Sequence, residues 1–422
     1  EYGWRNFGDI FADHETLGVN GKNVTISHYN NQYDPLFGFL SQFLITGDLR
    51  WFELAEDLAK HVKEIDIYDT FEDRDEYNQG LFWHTDHYLD AETCNHRTFS
   101  KKHTHAYDGY TSGGGPGGQH CYTAGLTMHY FLTGDETSKN TVINMCSWAN
   151  YVFDGSNSLL AKLFGIKKSG VTGAKNFVTG EYPLDRGTGH LVVTHLDVFL
   201  MTNQQCYLDK AFKIIQFTIS PFDDISARNF ENIEATWFYT VFLQSVSRFL
   251  CEKERLSQFD SDFEYARRAL LHYVEWMANN EQPYLEQKDK LEFPNSTWVA
   301  QDLRKAFLFY AGSYFSFKHN YTELGDRFYG YVGEVLAKDS DKGTARILAI
   351  LMQNYLAKSF FIGKCEIPEE TRNMIIKPRP TKNKYWVITE IVLKSLIQIS
   401  PKRELKWLAL RSNKIAKLIG NK

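Results

Sequence analysis

Between Leu81 and Arg97 the chain reads Leu-Phe-Trp-His-Thr-Asp-His-Tyr-Leu-Asp-Ala-Glu-Thr-Cys-Asn-His-Arg. A glycine run, Gly113-Gly-Gly-Pro-Gly-Gly118, then leads into Gln119-His120. An imidazole moves protons near neutral pH, and a guanidinium grips a carboxylate through two parallel hydrogen bonds. His87 and His120 therefore suit proton transfer, with His84 and Gln119 as substrate contacts and Arg97 as the clamp on an anionic group. The bland reading is that such histidines satisfy backbone carbonyls in an ordered loop; residue by residue the two readings stand level, and the density of the cluster favours function. The glycines allow close approach of backbone to a ligand. No strand precedes them and no Gly-Lys-Ser/Thr ending follows, which sets aside a phosphate-binding loop. His84, Asp86, His87, His96, His103 and His105 also offer zinc-type ligands, but their spacing matches no standard set. No cofactor is expected, and a divalent metal is a minor alternative.

Further polar and aromatic groups stand just ahead of helical segments. In His28-Tyr-Asn-Asn-Gln-Tyr33-Asp-Pro35, the Asn31 amide suits a sugar hydroxyl or a uronate carboxylate and Tyr33 suits a proton donor, while Asp34 reads as a helix cap before Pro35. Arg186-Gly-Thr-Gly-His190 supplies a second guanidinium and another imidazole. Trp237, Tyr239 and Trp298 are either sugar-stacking platforms or core aromatics. Asp223-Asp224 with Arg228 reads as a loop lock.

The elements that must position these groups are helices. Leu36, Phe39, Leu40, Phe43 and Leu44 recur at helical spacing, as do Trp51, Leu54, Ala55, Leu58 and Val62. Thr46-Gly47-Asp48 lies between them. Glycine suits the left-handed end of the first helix and aspartate caps the second, the grammar of a hairpin tip. It returns at Thr133-Gly-Asp135 and, with Asn203 for glycine, at Thr202-Asn203. Trp237 to Leu250 pairs with Phe263 to Met277, Val299 to Phe317 with Phe328 to Leu336, and Thr344 to Phe361 with Tyr385 to Ile399. The expected fold is all-α, an α/α toroid of about six helical hairpins with little or no β structure, because such units bury their apolar faces only by stacking or closing on one another. An open solenoid is the competitor. The polar-aromatic motifs precede the first helix of each pair and the tips between paired helices are plain, so a toroid gathers helix N-termini, which favour anions, at one end.

Composition narrows the classes. The chain has 422 residues, 43% hydrophobic and 15% aromatic, and its 47 Lys+Arg against 52 Asp+Glu give a net charge of −5, no case for a nucleic-acid face. No apolar run is long enough to span a bilayer. The cysteines are dispersed, without a Cys-x-x-Cys pair. The toroid is expected over residues 1–375, with basic closing helices or a tail over 376–422. The start at Glu1, with no signal peptide, reads as part of a longer protein.

The segments Tyr2-Gly-Trp-Arg-Asn-Phe-Gly-Asp9, Trp83-His-Thr-Asp-His-Tyr88, His96-Arg-Thr98, Arg186-Gly-Thr-Gly-His190, Pro221-Phe-Asp-Asp-Ile225 and Thr236-Trp-Phe-Tyr-Thr-Val-Phe242 resemble the helical toroid of the exo-acting rhamnogalacturonan lyase-like family, over roughly the first 250 residues. The resemblance implies a polysaccharide lyase that cleaves a uronic-acid glycan by β-elimination, outside the cell or in the periplasm, and β-sandwich modules ahead of the toroid that this chain lacks. On local chemistry, His87 or His120 is the expected base, Tyr33 the acid, and Arg97 with Asn31 the carboxylate site; His84, Gln119, Arg186, His190, Trp237 and Tyr239 contact substrate. The alternatives are a glycoside hydrolase of the same architecture, using carboxylates such as Asp86 with Asp224 or Glu234, and a non-catalytic glycan-binding toroid.

Overall fold

The computed structural model describes residues 31–81, 116–169, 173–291, 294–339, 345–379 and 383–418, together with the backbone of three short strands at 9–11, 26–28 and 87–88. Helices dominate. The first apolar repeats become α1 (Pro35–Thr46) and α2 (Leu49–His61). At their tip Gly47 takes φ 68° and returns its N–H to the Phe43 carbonyl, and Asp48 accepts from the Arg50 N–H at 3.0 Å. The same turn joins α3 (Ala124–Thr133) to α4 (Glu136–Asp154) through Gly134 and Asp135. After α5 (Leu159–Lys167), Asn203 at φ 53° plays the glycine part between α6 (Arg186–Thr202) and α7 (Gln205–Gln216). The short α8 (Ile233–Thr236) precedes the pair α9 (Tyr239–Arg255) and α10 (Ser261–Asn280), and α11 (Ser296–Phe315) pairs with α12 (Thr322–Leu336). Then come α13 (Ala345–Asn354), α14 (Ala357–Phe360), α15 (Glu369–Arg372), α16 (Lys384–Ile397), α17 (Pro401–Ala409) and α18 (Asn413–Leu418).

The first helices of the pairs are one another's neighbours. α1 packs on α3, α3 on α6, α6 on α9, α9 on α11, α11 on α13, and α13 back on α1. Burial follows from that position. α2 and α7 keep a buried stripe, Ala55, Leu58 and Ala59 in one and Leu208, Ala211, Ile214 and Ile215 in the other. α6, α9 and α11, flanked on several sides, are buried nearly all round, and α11 takes Asp302, Arg304 and Lys305 inside with it. Phe242, Phe249 and Phe309 are wholly buried, each worth about 1.5–3 kcal/mol of apolar transfer. No described helix is long and apolar enough to cross a membrane.

Two details differ from expectation. The segment around His87 was expected as an irregular loop. Instead His87–Tyr88 is a strand, β3, antiparallel to β2 (Ile26–His28), which in turn pairs with β1 (Asp9–Phe11). His87 lies opposite Ser27. The second arm of the last hairpin is also displaced: α16 packs on α5 rather than on α13. The chain after α14 is fastened along α11, with Phe361 against Phe307 and Tyr314 and the Cys365 N–H on the Tyr314 carbonyl at 3.0 Å. It therefore leaves α13 without a partner of the expected kind. Further on, Glu404 of α17 accepts from the Leu159 and Leu160 N–H groups at 3.0 and 3.1 Å, capping α5 from a distant part of the chain.

Candidate active site

Helices α1, α3, α6, α9, α11 and α13 all contribute side chains to one cavity of about 480 Å³. Tyr33, Tyr122, Arg186, His190 and Arg304 line it, the first four at the beginnings of α1, α3 and α6.

Tyr33 and Asp34 both have positive φ, 61° and 53°, a conformation that costs a residue with a Cβ about 1–2 kcal/mol. The Asp34 carboxylate holds the strained turn, accepting from the Phe37 N–H at 3.2 Å and the Gly125 N–H at 2.9 Å. A Cβ on Gly125 would lie 2.4 Å from Asp34 Oδ1, so only glycine lets α3 start this close to α1. Burial lifts the Asp34 carboxyl to about 6 against the pull of those two amides.

Across the mouth His120 Nδ1 and the Tyr122 hydroxyl are 2.5 Å apart. Tyr33 meets His120 edge-on, with ring centroids 6.3 Å apart, and Tyr122 meets His190 edge-on at 4.8 Å. Burial above all keeps the Tyr122 hydroxyl well above its ordinary pKa, so it stays protonated.

The Arg186-Gly-Thr-Gly-His190 motif opens α6. Asp185 caps it, accepting from the Thr188 N–H at 2.9 Å and from Gln119 at 2.8 Å. A spacing of four residues places Arg186 and His190 on one helix face. Gly189 fits α6 against α9, since a Cβ there would be 3.0 Å from the Phe242 Cα. Burial, then the Arg186 and Arg304 cations, push His190 down to about 3, so it is neutral; among the described residues its ring makes no hydrogen bond. Arg186 lies 5.7 Å over the Trp237 ring, forms no hydrogen bond or ion pair with a described residue, and keeps a buried Nε without a partner.

Arg304 is held by neutral groups only. Its Nε donates to Gln301 at 2.7 Å and its two terminal nitrogens to Gln244 at 2.7 Å and Gln353 at 3.1 Å, and the guanidinium sits 5.7 Å from the Tyr33 ring centre. Burial lowers its pKa from the usual arginine value. Two guanidiniums thus share the mouth with no described carboxylate bound to either. Deeper in, Arg248 is paired with Asp197, which also accepts from Thr123.

Of the residues singled out in the sequence, Tyr33, Arg186 and His190 line the cavity, His120 stands behind Tyr122, Trp237 lies under Arg186, and Gln119 holds Asp185. Asn31 does not reach a ligand position: it is fully buried, donating to Asp34 and accepting from the Leu36 N–H as part of the helix start. Tyr239 belongs to the core, its ring stacked on Phe230 at 4.2 Å and its hydroxyl donating to Glu281 at 2.6 Å. His84 and Arg97 lie outside the described residues, and of His87 only the backbone is described. Sequence reasoning passed over Tyr122 and Arg304. No local signal marked Arg304, since Asp302 and Lys305 stand on the same helix and are buried with it.

Asp223 and Arg228 form the expected loop lock at 2.8 Å. Among the described residues no group of three or more His, Cys, Asp or Glu is placed to hold a metal ion. Comparison with protein-family models, with curated proteins and with solved structures found no match.

Proposed function

We propose that the helix pairs form an α/α toroid and that its central cavity is the active site of a polysaccharide lyase acting on a uronic-acid glycan of the rhamnogalacturonan or pectin kind. The observation that carries the reading is the pair of guanidiniums, Arg186 without a hydrogen bond or ion pair among the described residues and Arg304 held by glutamines, in a mouth that also holds a neutral imidazole and a protonated phenol. The sequence resemblance points the same way.

In β-elimination the uronate carboxylate must be neutralised so that the neighbouring C5 proton becomes acidic, a base must take that proton, and an acid must protonate the departing oxygen. Arg186 and Arg304 supply the neutralisation. His190 is the base: it is neutral, lines the cavity and is held down first by burial and then by the two cations, and the substrate carboxylate would offset the cationic part of that depression as it arrives. Tyr122 is the acid. The C5–H bond breaks to His190, the C4=C5 double bond forms, the C4–O bond breaks, and the leaving oxygen takes the Tyr122 proton. His190 then returns its proton to the phenolate of the ring it faces. His120, fully buried and bonded to Tyr122, is a positioning residue, and the Tyr33 ring walls the site under Arg304.

Hydrolysis requires a pair of available carboxyl groups. The carboxylates lining the described cavity are Asp34, committed to two backbone amides, and Glu252, bonded to Arg255. The test is incubation with rhamnogalacturonan and homogalacturonan oligomers, followed by ultraviolet absorbance and product mass. A conjugated uronate lost in His190→Ala and Tyr122→Phe supports elimination. New reducing ends without the chromophore would make the protein a hydrolase, and saturable binding without product would make it a glycan-binding module.

A further inference from the structure

A second cavity, of about 400 Å³, lies between the end of α4, the segment 173–182, α7 and α16, and shares no lining residue with the central one. Its wall is cationic. Lys162, Lys175, Lys210 and Lys213 face it, and Asp154 is the one described carboxylate that lines it. Asp154 is already engaged twice, by Lys175 and by Lys210 at 2.5 Å. The Lys162 ammonium donates to the Asp154 and Gly155 backbone carbonyls at 2.5 and 3.4 Å, and that of Lys213 has no partner among the described residues. The neutral hydroxyl of Tyr182 donates to Asp154 and adds no charge.

We propose that this cavity is a binding site for an oxyanion-bearing ligand, a sulfate or phosphate group or the carboxylate of an acidic sugar, held by Lys162, Lys175, Lys210 and Lys213. Ammonium groups gathered around a single carboxylate repel one another, and a bound anion relieves that repulsion. Burial and neighbouring cations hold the Lys162 and Lys175 ammoniums below the usual lysine pKa, a strain that an anion reverses. The volume exceeds what an inorganic ion fills and accommodates a sugar unit. Position favours the sugar source. Asp154 closes α4 at the end where its antiparallel partner α3 begins, so the site stands at the same end of the helix pairs as the mouth of the central cavity. This last point alone rests on the proposed lyase reading; anion binding does not.

The experiment follows thermal unfolding and calorimetric binding of inorganic phosphate, digalacturonate and uncharged maltose at constant ionic strength. Wild type is compared with Lys213→Gln, whose side chain is exposed and has no partner among the described residues, and with Lys162→Gln/Lys213→Gln. The double variant also corrects for the general stabilisation that multivalent anions give any protein. The expected result is saturable binding of at least one anion, none of maltose, and affinity weakened tenfold or more in the double variant and severalfold in Lys213→Gln. In the Arg186→Gln background, where the central cavity is impaired, digalacturonate binding more tightly than phosphate identifies the sugar as the source, and the reverse order identifies the free ion. Equal anion responses in wild type and both variants, or no saturable binding, would overturn the proposal. Arg186→Gln is carried in parallel: it leaves this binding intact, so failure here and failure of the central site are told apart.

Discussion

Arg186→Gln separates a ligand-binding role from a structural one. In the free protein the guanidinium makes no hydrogen bond or ion pair with a described residue; it contributes a contact over Trp237 at 5.7 Å, worth about 0.5–1 kcal/mol, and leaves a buried Nε unsatisfied. The two effects oppose each other, so stability should change by no more than roughly 0.5 kcal/mol, a shift of about 2 °C or less in Tm for a chain of this size. Substrate binding is a different matter. A bidentate carboxylate contact comprises two charge-assisted hydrogen bonds at about 1.5–3 kcal/mol each, and losing them should lower kcat/KM by roughly two to four orders of magnitude. His190 supplies an independent readout. Arg186 is one of the charges depressing it, so its pKa should rise in the variant, followed by the imidazole NMR signal. Arg186→Lys keeps the charge but loses the planar fork, and should fall between. A structural role for Arg186 in place of a ligand-binding one is shown if Arg186→Gln unfolds several degrees early while kcat/KM stays within twofold of wild type.

Four further outcomes are expected. Tyr122→Phe should lower kcat by about 10²–10⁴ with KM little changed, measured on the unsaturated product; a loss under threefold would remove Tyr122 as the acid. Gly125→Ala drives a Cβ to 2.6 Å from the Phe37 backbone nitrogen as well as onto Asp34, and should cost about 2–4 kcal/mol in urea unfolding; wild-type stability would show that the α1–α3 junction is looser than described. His195 accepts from Asn150 through Nε2 and donates from Nδ1 to the Leu191 carbonyl, and burial pushes it down to about 4. Below pH 6.5 the unfolded chain takes up a proton that the folded chain refuses, so its contribution is complete above pH 6.5 and is lost as pH falls towards 4, on the order of 3 kcal/mol; urea titrations of wild type and His195→Gln should converge over that window. Glu404→Ala removes the acceptor for two α5 amides and should cost about 1–2 kcal/mol, seen as faster tryptic cleavage at Lys402 and Arg403.

Local chemistry was legible in the sequence. Apolar spacing located α1 and α2, and Gly47 with Asp48 marked the tip because a left-handed helix end and a capped helix start are properties of a few adjacent residues. The same holds for Asp34 before Pro35 and for the arginine and histidine four residues apart at the start of α6. What failed were the judgements of exposure that depended on a distant neighbour. Asn31 looks like an exposed amide until α1 closes over it, and Tyr239 looks like a stacking platform until Phe230 and Glu281 enclose it. Arg304 carries no local signature at all, since three glutamines from three different helices make it what it is.

That the chain is helical, paired and capped at known places follows from residue order alone, since those choices are settled within one or two turns by backbone geometry and side-chain pattern. Folding in three dimensions settles which of many histidines, tyrosines and arginines share a cavity, where α16 comes to rest, and that two guanidiniums stand together with no described carboxylate bound to either. Those outcomes depend on packing between helices separated by tens to hundreds of residues, and on the burial that packing creates, which turns an ordinary histidine into a neutral one and leaves a cation in want of an anion.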